Sequence, residues 1–111
     1  SFKWGQVIAG GEYDAYIGIV ADKAENPNVE NQDAKIKFYD ETSLILEESF
    51  VIKNRSAKVL EFPKFLTSSG DYTMNEPKNI WCVVESEKYG LNFFSVTCNK
   101  ESNHCSGDHG F

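Results

Sequence analysis

Arginine is almost absent from this chain: ten of the eleven basic residues are lysines, Arg55 is the exception, and 17 acidic residues bring the formal net charge to −6. A nucleic-acid surface gains affinity by neutralising phosphates with clustered Lys and Arg, so RNA or DNA binding is not expected. No apolar stretch nears the ~20 residues a bilayer-spanning helix requires, which argues against membrane insertion. A charged-then-apolar leader is also missing, and the chain starts at Ser1 rather than Met, as a processed or trimmed domain would. Repeats, low-complexity tracts and linkers are lacking. What is present is ordinary globular composition: 41% apolar and 25% charged residues over 111 positions, the size of one domain spanning 1–111.

Cysteine is scarce as well. Cys82, Cys98 and Cys105 all fall in the last thirty residues. Three cysteines are too few for a disulfide scaffold but suffice for one bridge and a spare thiol in an oxidising compartment, so secretion is expected. Which two pair is left open at this point.

The segment from Glu12 to Ala24 places Tyr13, Tyr16, Ile17, Val20, Ala21 and Ala24 on one stripe at the 3.6-residue period, which predicts a helix of about three turns. Glu12 and Asp14 suit its N-terminus, Lys23 its C-terminus, and Asn26-Pro27 supplies a stop. The rival reading is a strand, because Tyr16-Ile17-Gly18-Ile19-Val20 is rich in β-formers. After a polar loop from Asn26 to Asp33 the texture turns to short strands: Ile36–Tyr39, Phe50–Lys53, Val59–Phe62, Ile80–Val84 and Leu91–Val96. The last two are expected to pair as an antiparallel hairpin. The expected fold is therefore α+β, one N-terminal helix packed on a twisted antiparallel sheet, with an all-β sandwich as the alternative.

Candidate chemistry is sparse. His104, Cys105, His109 and Cys98 are zinc-ligand types, yet adjacent His104 and Cys105 lack the spaced pairs of a structural zinc site, so neither metal nor cofactor is expected. A Cys–His nucleophilic pair needs thiol and base to meet in space, which spacing cannot show. Cys82 lies inside an apolar strand and reads as a buried small hydrophobe. Asn54-Arg55-Ser56 is a glycosylation sequon in an expected turn, making Asn54 a candidate modification site.

The order of features from Glu61 onward carries a resemblance. Glu61-Phe62-Pro63 closes a strand; Leu66-Thr67-Ser68-Ser69-Gly70-Asp71-Tyr72-Thr73 follows, then Pro77, the strand Trp81-Cys82-Val83-Val84, a Gly turn, a strand ending in Val96-Thr97, and finally Asn103 and Cys105. This is similar to the second half of the small fungal guanyl-specific ribonucleases and to the ribonuclease-like secreted effectors of powdery-mildew fungi. The resemblance implies a microbial ribonuclease-like scaffold with Glu61 at the position of the general base. At the family's Arg position the chain reads Ile80-Trp81, near its His position Phe94-Ser95, and Arg55 precedes Glu61. Proton removal, proton delivery and charge stabilisation are separate demands, so a lone Glu61 implies a catalytically inactive relative.

The resulting expectation is a secreted effector, delivered to or into host cells, that binds a host protein such as a plant immune receptor to modulate or trigger immunity, acting as a monomer. Tyr72, Met74 and Lys78 are its candidate contact residues. The alternatives are an active divergent ribonuclease or a Cys/His hydrolase built on Cys98 or Cys105 with His104, and an extracellular β-sandwich binding module.

Overall fold

A computed structural model of the chain describes residues 2–21, 31–53, 55–62, 75–86 and 91–109. Eight strands run through them: β1 (Phe2–Ala9), β2 (Tyr13–Ala21), β3 (Asn31–Tyr39), β4 (Leu44–Lys53), β5 (Ser56–Phe62), β6 (Lys78–Ser86), β7 (Leu91–Asn99) and β8 (His104–His109). They form two four-stranded sheets, β1-β6-β3-β4 and β5-β2-β7-β8, and every strand pairing is antiparallel. The fold is an all-β sandwich; among the described residues there is no helix.

This overturns the expected α+β fold and, with it, the ribonuclease-like scaffold that needs an N-terminal helix across its sheet. The segment read as that helix is β2, a central strand paired with β5 on one side and β7 on the other. Its buried positions Ala15, Ile17, Ile19 and Ala21 alternate, whereas the helical stripe of Tyr13, Tyr16, Ile17, Val20 and Ala21 is divided between both faces of the sheet. A central strand is apolar on both sides, so its sequence satisfies either period. The β-branched Ile17, Ile19 and Val20 and the helix-weakening Gly18 decide for the extended form.

Two smaller expectations change as well. Ile80–Val84 and Leu91–Val96 do not form a hairpin: β6 lies between β1 and β3, and β7 between β2 and β8, in opposite sheets. The hairpins within a sheet are β3–β4 and β7–β8. The loop expected to run to Asp33 ends earlier, because Asn31, Gln32 and Asp33 already pair with β4. All five expected strands recur, each longer than its apolar kernel. β1 and β8 were not foreseen.

The core lies between the sheets and alternates with period two. Val7 and Ala9, Ile36 and Phe38, and Ile80, Cys82 and Val84 come from the first sheet, facing Ile17, Ile19 and Phe93 from the second. β1 packs across the sandwich on β7 and β2. The approach is close at Gly5, where the Phe93 ring occupies the space a side chain would need. Between β1 and β2 the chain reverses at Gly10 and Gly11, whose φ values of 99° and 58° suit glycine. Gly10 and Tyr13 exchange main-chain hydrogen bonds of 3.0 Å in each direction there.

Gly5→Ala must displace a ring that is 3% exposed and should cost about 1–3 kcal/mol. Gly18→Ala faces the Phe94 ring, which is 41% exposed and free to swing outward, and should stay within about 0.5 kcal/mol. Urea midpoints compare the two, and equal losses would contradict the asymmetry. Gln32 points into the core at 1% exposure with neither side-chain Oε1 nor Nε2 hydrogen-bonded. Replacing it by Leu removes two unsatisfied groups at similar volume and should stabilise the fold by about 1–3 kcal/mol in the same assay.

Candidate functional site

The residues singled out in the sequence do not converge. Glu61 is half-buried on β5, opposite Tyr16, while His104 and His109 are exposed on β8 at the other edge of the same sheet. Three strand spacings, ~14 Å, separate those edges. Lys78 is exposed at the start of β6, opposite Ala9. Asn54, Tyr72 and Met74 lie outside the described residues.

The cysteines resolve cleanly. Cys98 and Cys105 form a disulfide between directly opposed positions of β7 and β8, with Cα atoms 4.1 Å apart. That close spacing belongs to the narrow, non-hydrogen-bonded kind of antiparallel pair. Cys82 is free and fully buried in β6, and burial pushes its thiol pKa far up. The two cysteines considered for a Cys–His pair are thus joined to each other. Among the described residues no three His, Cys, Asp or Glu side chains gather as metal ligands, and no helix is long and apolar enough to cross a membrane.

A site does emerge on the outer face of the first sheet, where cross-strand register builds rows. Phe2, Glu85, Lys35 and Ser49 stand side by side across β1, β6, β3 and β4; Trp4, Val83, Lys37 and Glu47 form the next row. Gln6, Trp81 and Tyr39 continue the pattern. Phe2 is 65% and Trp4 44% exposed, and Ile8 and Val51 are exposed on the same face. Two ion pairs cross diagonally between the first two rows, Lys37 Nζ to Glu85 Oε1 at 3.1 Å and Lys35 Nζ to Glu47 Oε1 at 3.2 Å. The Glu85 carboxylate, hydrogen-bonded to Lys37, holds that ammonium above the ordinary lysine pKa. Gln6 Nε2 donates to Asn79 Oδ1 at 3.0 Å beside Trp81. An open trough of about 720 Å³ crosses the first row and is lined by Phe2, Lys35, Glu85, Asp33, Ser49 and Val51.

A second concavity, of about 440 Å³, runs along the edge of β1 where the second sheet extends beyond it. Its floor is Ser95 and Thr97 of β7 with Ser106 and Asp108 of β8. Both concavities border β1, the strand the sequence reading missed. The available signal was the alternation of Trp4, Gln6 and Ile8 with Gly5, Val7 and Ala9. The outward set is the bulkier one, which obscures the buried alternation.

No family model matches the chain, and no curated protein sequence matches it. Among solved structures, the crystal structure of Thermotoga maritima 1070 is similar, with a TM-score of 0.65 and 17% identity over 99% of this chain and 91% of that one. At that identity the likeness establishes the β-sandwich fold alone.

The disulfide ties β8 to the sheet and so supports the second concavity. Replacing Cys98 and Cys105 by serine should cost about 2–3 kcal/mol. Because β8 contacts the sheet along one edge, the loss should appear first as faster amide exchange in His104–His109 rather than as global unfolding. Iodoacetamide should leave native Cys82 unlabelled and react with it in denaturant; rapid native labelling would contradict its burial.

Proposed function

We propose that this chain is an extracellular β-sandwich recognition module that binds another protein, and that β1 is the centre of its contact surface. The observation that carries the reading is the exposed apolar set on one side of β1, Phe2, Trp4 and Ile8, rimmed by the Lys37–Glu85 and Lys35–Glu47 pairs. Large aromatics surrounded by polar groups are the composition of protein-contact hot spots, and leaving them in water is otherwise unfavourable. A disulfide in an edge hairpin fits an oxidising environment. The net charge of −6 fits a protein partner better than a nucleic acid.

The host-directed effector reading was tied to the ribonuclease scaffold and gains no support from the sandwich. The general notion of a secreted, protein-binding domain does not depend on that scaffold and is kept.

Selection of phage-displayed random decapeptides on the immobilised, disulfide-intact protein tests the proposal. Enriched peptides should lose about tenfold in affinity against Trp4→Ala, with circular dichroism unchanged, and should be unaffected by Val59→Ser on the opposite sheet. Failure to enrich any peptide would sink the reading, and binding of a neutral polysaccharide in an array would put a glycan in the partner's place.

A further inference from the structure

We infer that the groove along β1 is a strand-addition site: it takes one extended segment of a partner polypeptide as a fifth strand of the first sheet, with Lys or Arg at alternate positions. The inference rests on the protein-binding reading above and specifies its mode.

The geometry begins with an overhang. β1 is the edge of its sheet and packs on β7, whereas β8 continues the other sheet one strand further. Nothing among the described residues covers β8, and all six of its residues are exposed. The sandwich therefore has a strand-wide step, whose floor is β8 and whose wall is the edge of β1.

The main chain of that wall is oriented by one hydrogen bond. Ile8 N–H donates to Thr97 Oγ1 at 3.1 Å, across the groove and away from β6. In an antiparallel ladder a residue that turns its N–H away from its neighbour turns its C=O away too, and the orientation repeats every second residue. Gln6, opposite Trp81, thus presents its N–H and C=O to the groove. The Ile8 N–H is already taken by Thr97, so the ladder that an incoming strand would extend is centred on Gln6.

The floor specifies side chains. Ser95, Thr97, Ser106 and Asp108 are all polar, although they occupy the face of the sheet that elsewhere forms the core. Neither Lys nor Arg is among the described lining residues, but His109 is: the Asp108 side chain is 63% exposed and its Oδ1 lies 3.9 Å from His109 Nε2. Alternate side chains of an added strand would point at this floor, where a basic residue meets the exposed Ser106 hydroxyl and Asp108 carboxylate, Ser95 being buried and the Thr97 hydroxyl already accepting from Ile8. The others would continue the outer rows beside Trp4 and Ile8, where β-branched and aromatic residues pair well. The expected ligand alternates Lys or Arg with Val, Ile or Tyr. Direct pairing of β1 with β1 of a second copy is obstructed, because the two overhanging β8 strands would claim the same space.

The test uses the peptides selected above, remade synthetically. N-methylation at every second amide should weaken binding about tenfold or more in one phase and be tolerated in the other. Peptide binding should protect the Gln6 amide from exchange. Asp108→Lys should weaken the basic peptide roughly threefold and favour its Lys→Glu version. Peptides that depend on Trp4 yet tolerate methylation in both phases would overturn strand addition while leaving the protein-binding reading intact. If no peptide is enriched, both fall. A concentration-dependent dimer abolished by Asp108→Lys, with no peptide bound, would assign the edge to a second copy and overturn the inference.

Discussion

The seating of Phe93 over Gly5 fixes how the two sheets meet. Because glycine leaves room for the ring, β1 can lie directly on β7, and the core of Ile17, Ile19, Ile36, Phe38 and Ile80 closes between the sheets. The same contact sets the lateral offset of the sandwich. With β1 stacked on β7, the next strand of the second sheet, β8, has no counterpart above it. One close approach thus seals the interior at one position and opens a step at the next.

The consequences run outward through β1. Gly5, Val7 and Ala9 face inward, so strict alternation obliges Phe2, Trp4, Gln6 and Ile8 to face solvent. The apolar surface they expose is the counterpart of an inward set small enough to admit Phe93. On the second sheet the core face changes from Leu91 and Phe93 to Ser95 and Thr97 along β7, and continues onto β8 as Ser106 and Asp108. Ser95 is still buried and Thr97 half-buried, and the polar face opens to water only at Ser106 and Asp108. The Cys98–Cys105 bridge compensates for the few contacts an uncovered edge strand makes.

Legibility in the sequence followed burial. Strands covered on one or both faces, such as β6 with Ile80, Cys82 and Val84, announced themselves through apolar kernels. β2 was visible as an apolar element, with the strand only as the rival reading, because Tyr16 and Val20 on its half-buried outer face join buried Ala15, Ile17 and Ile19 in a run that suits both periods. β8, His-Cys-Ser-Gly-Asp-His, has no apolar pattern at all; register with β7 and one disulfide make it a strand. The candidate site was barely legible, since Trp4, Glu85, Lys37 and Glu47 become neighbours only through pairings between distant segments.

By itself the sequence determined an acidic chain, five of its strands, a buried Cys82 and a supply of cysteines for one bridge. These depend on composition and short-range alternation, which each segment carries alone. Tertiary structure decided whether Tyr13–Ala21 coils or extends, which cysteines meet, and which sheet each strand joins. Those outcomes depend on main-chain partners supplied by remote segments, and a local pattern compatible with two periods cannot choose between them until one arrangement satisfies both its hydrogen bonds and its two apolar faces.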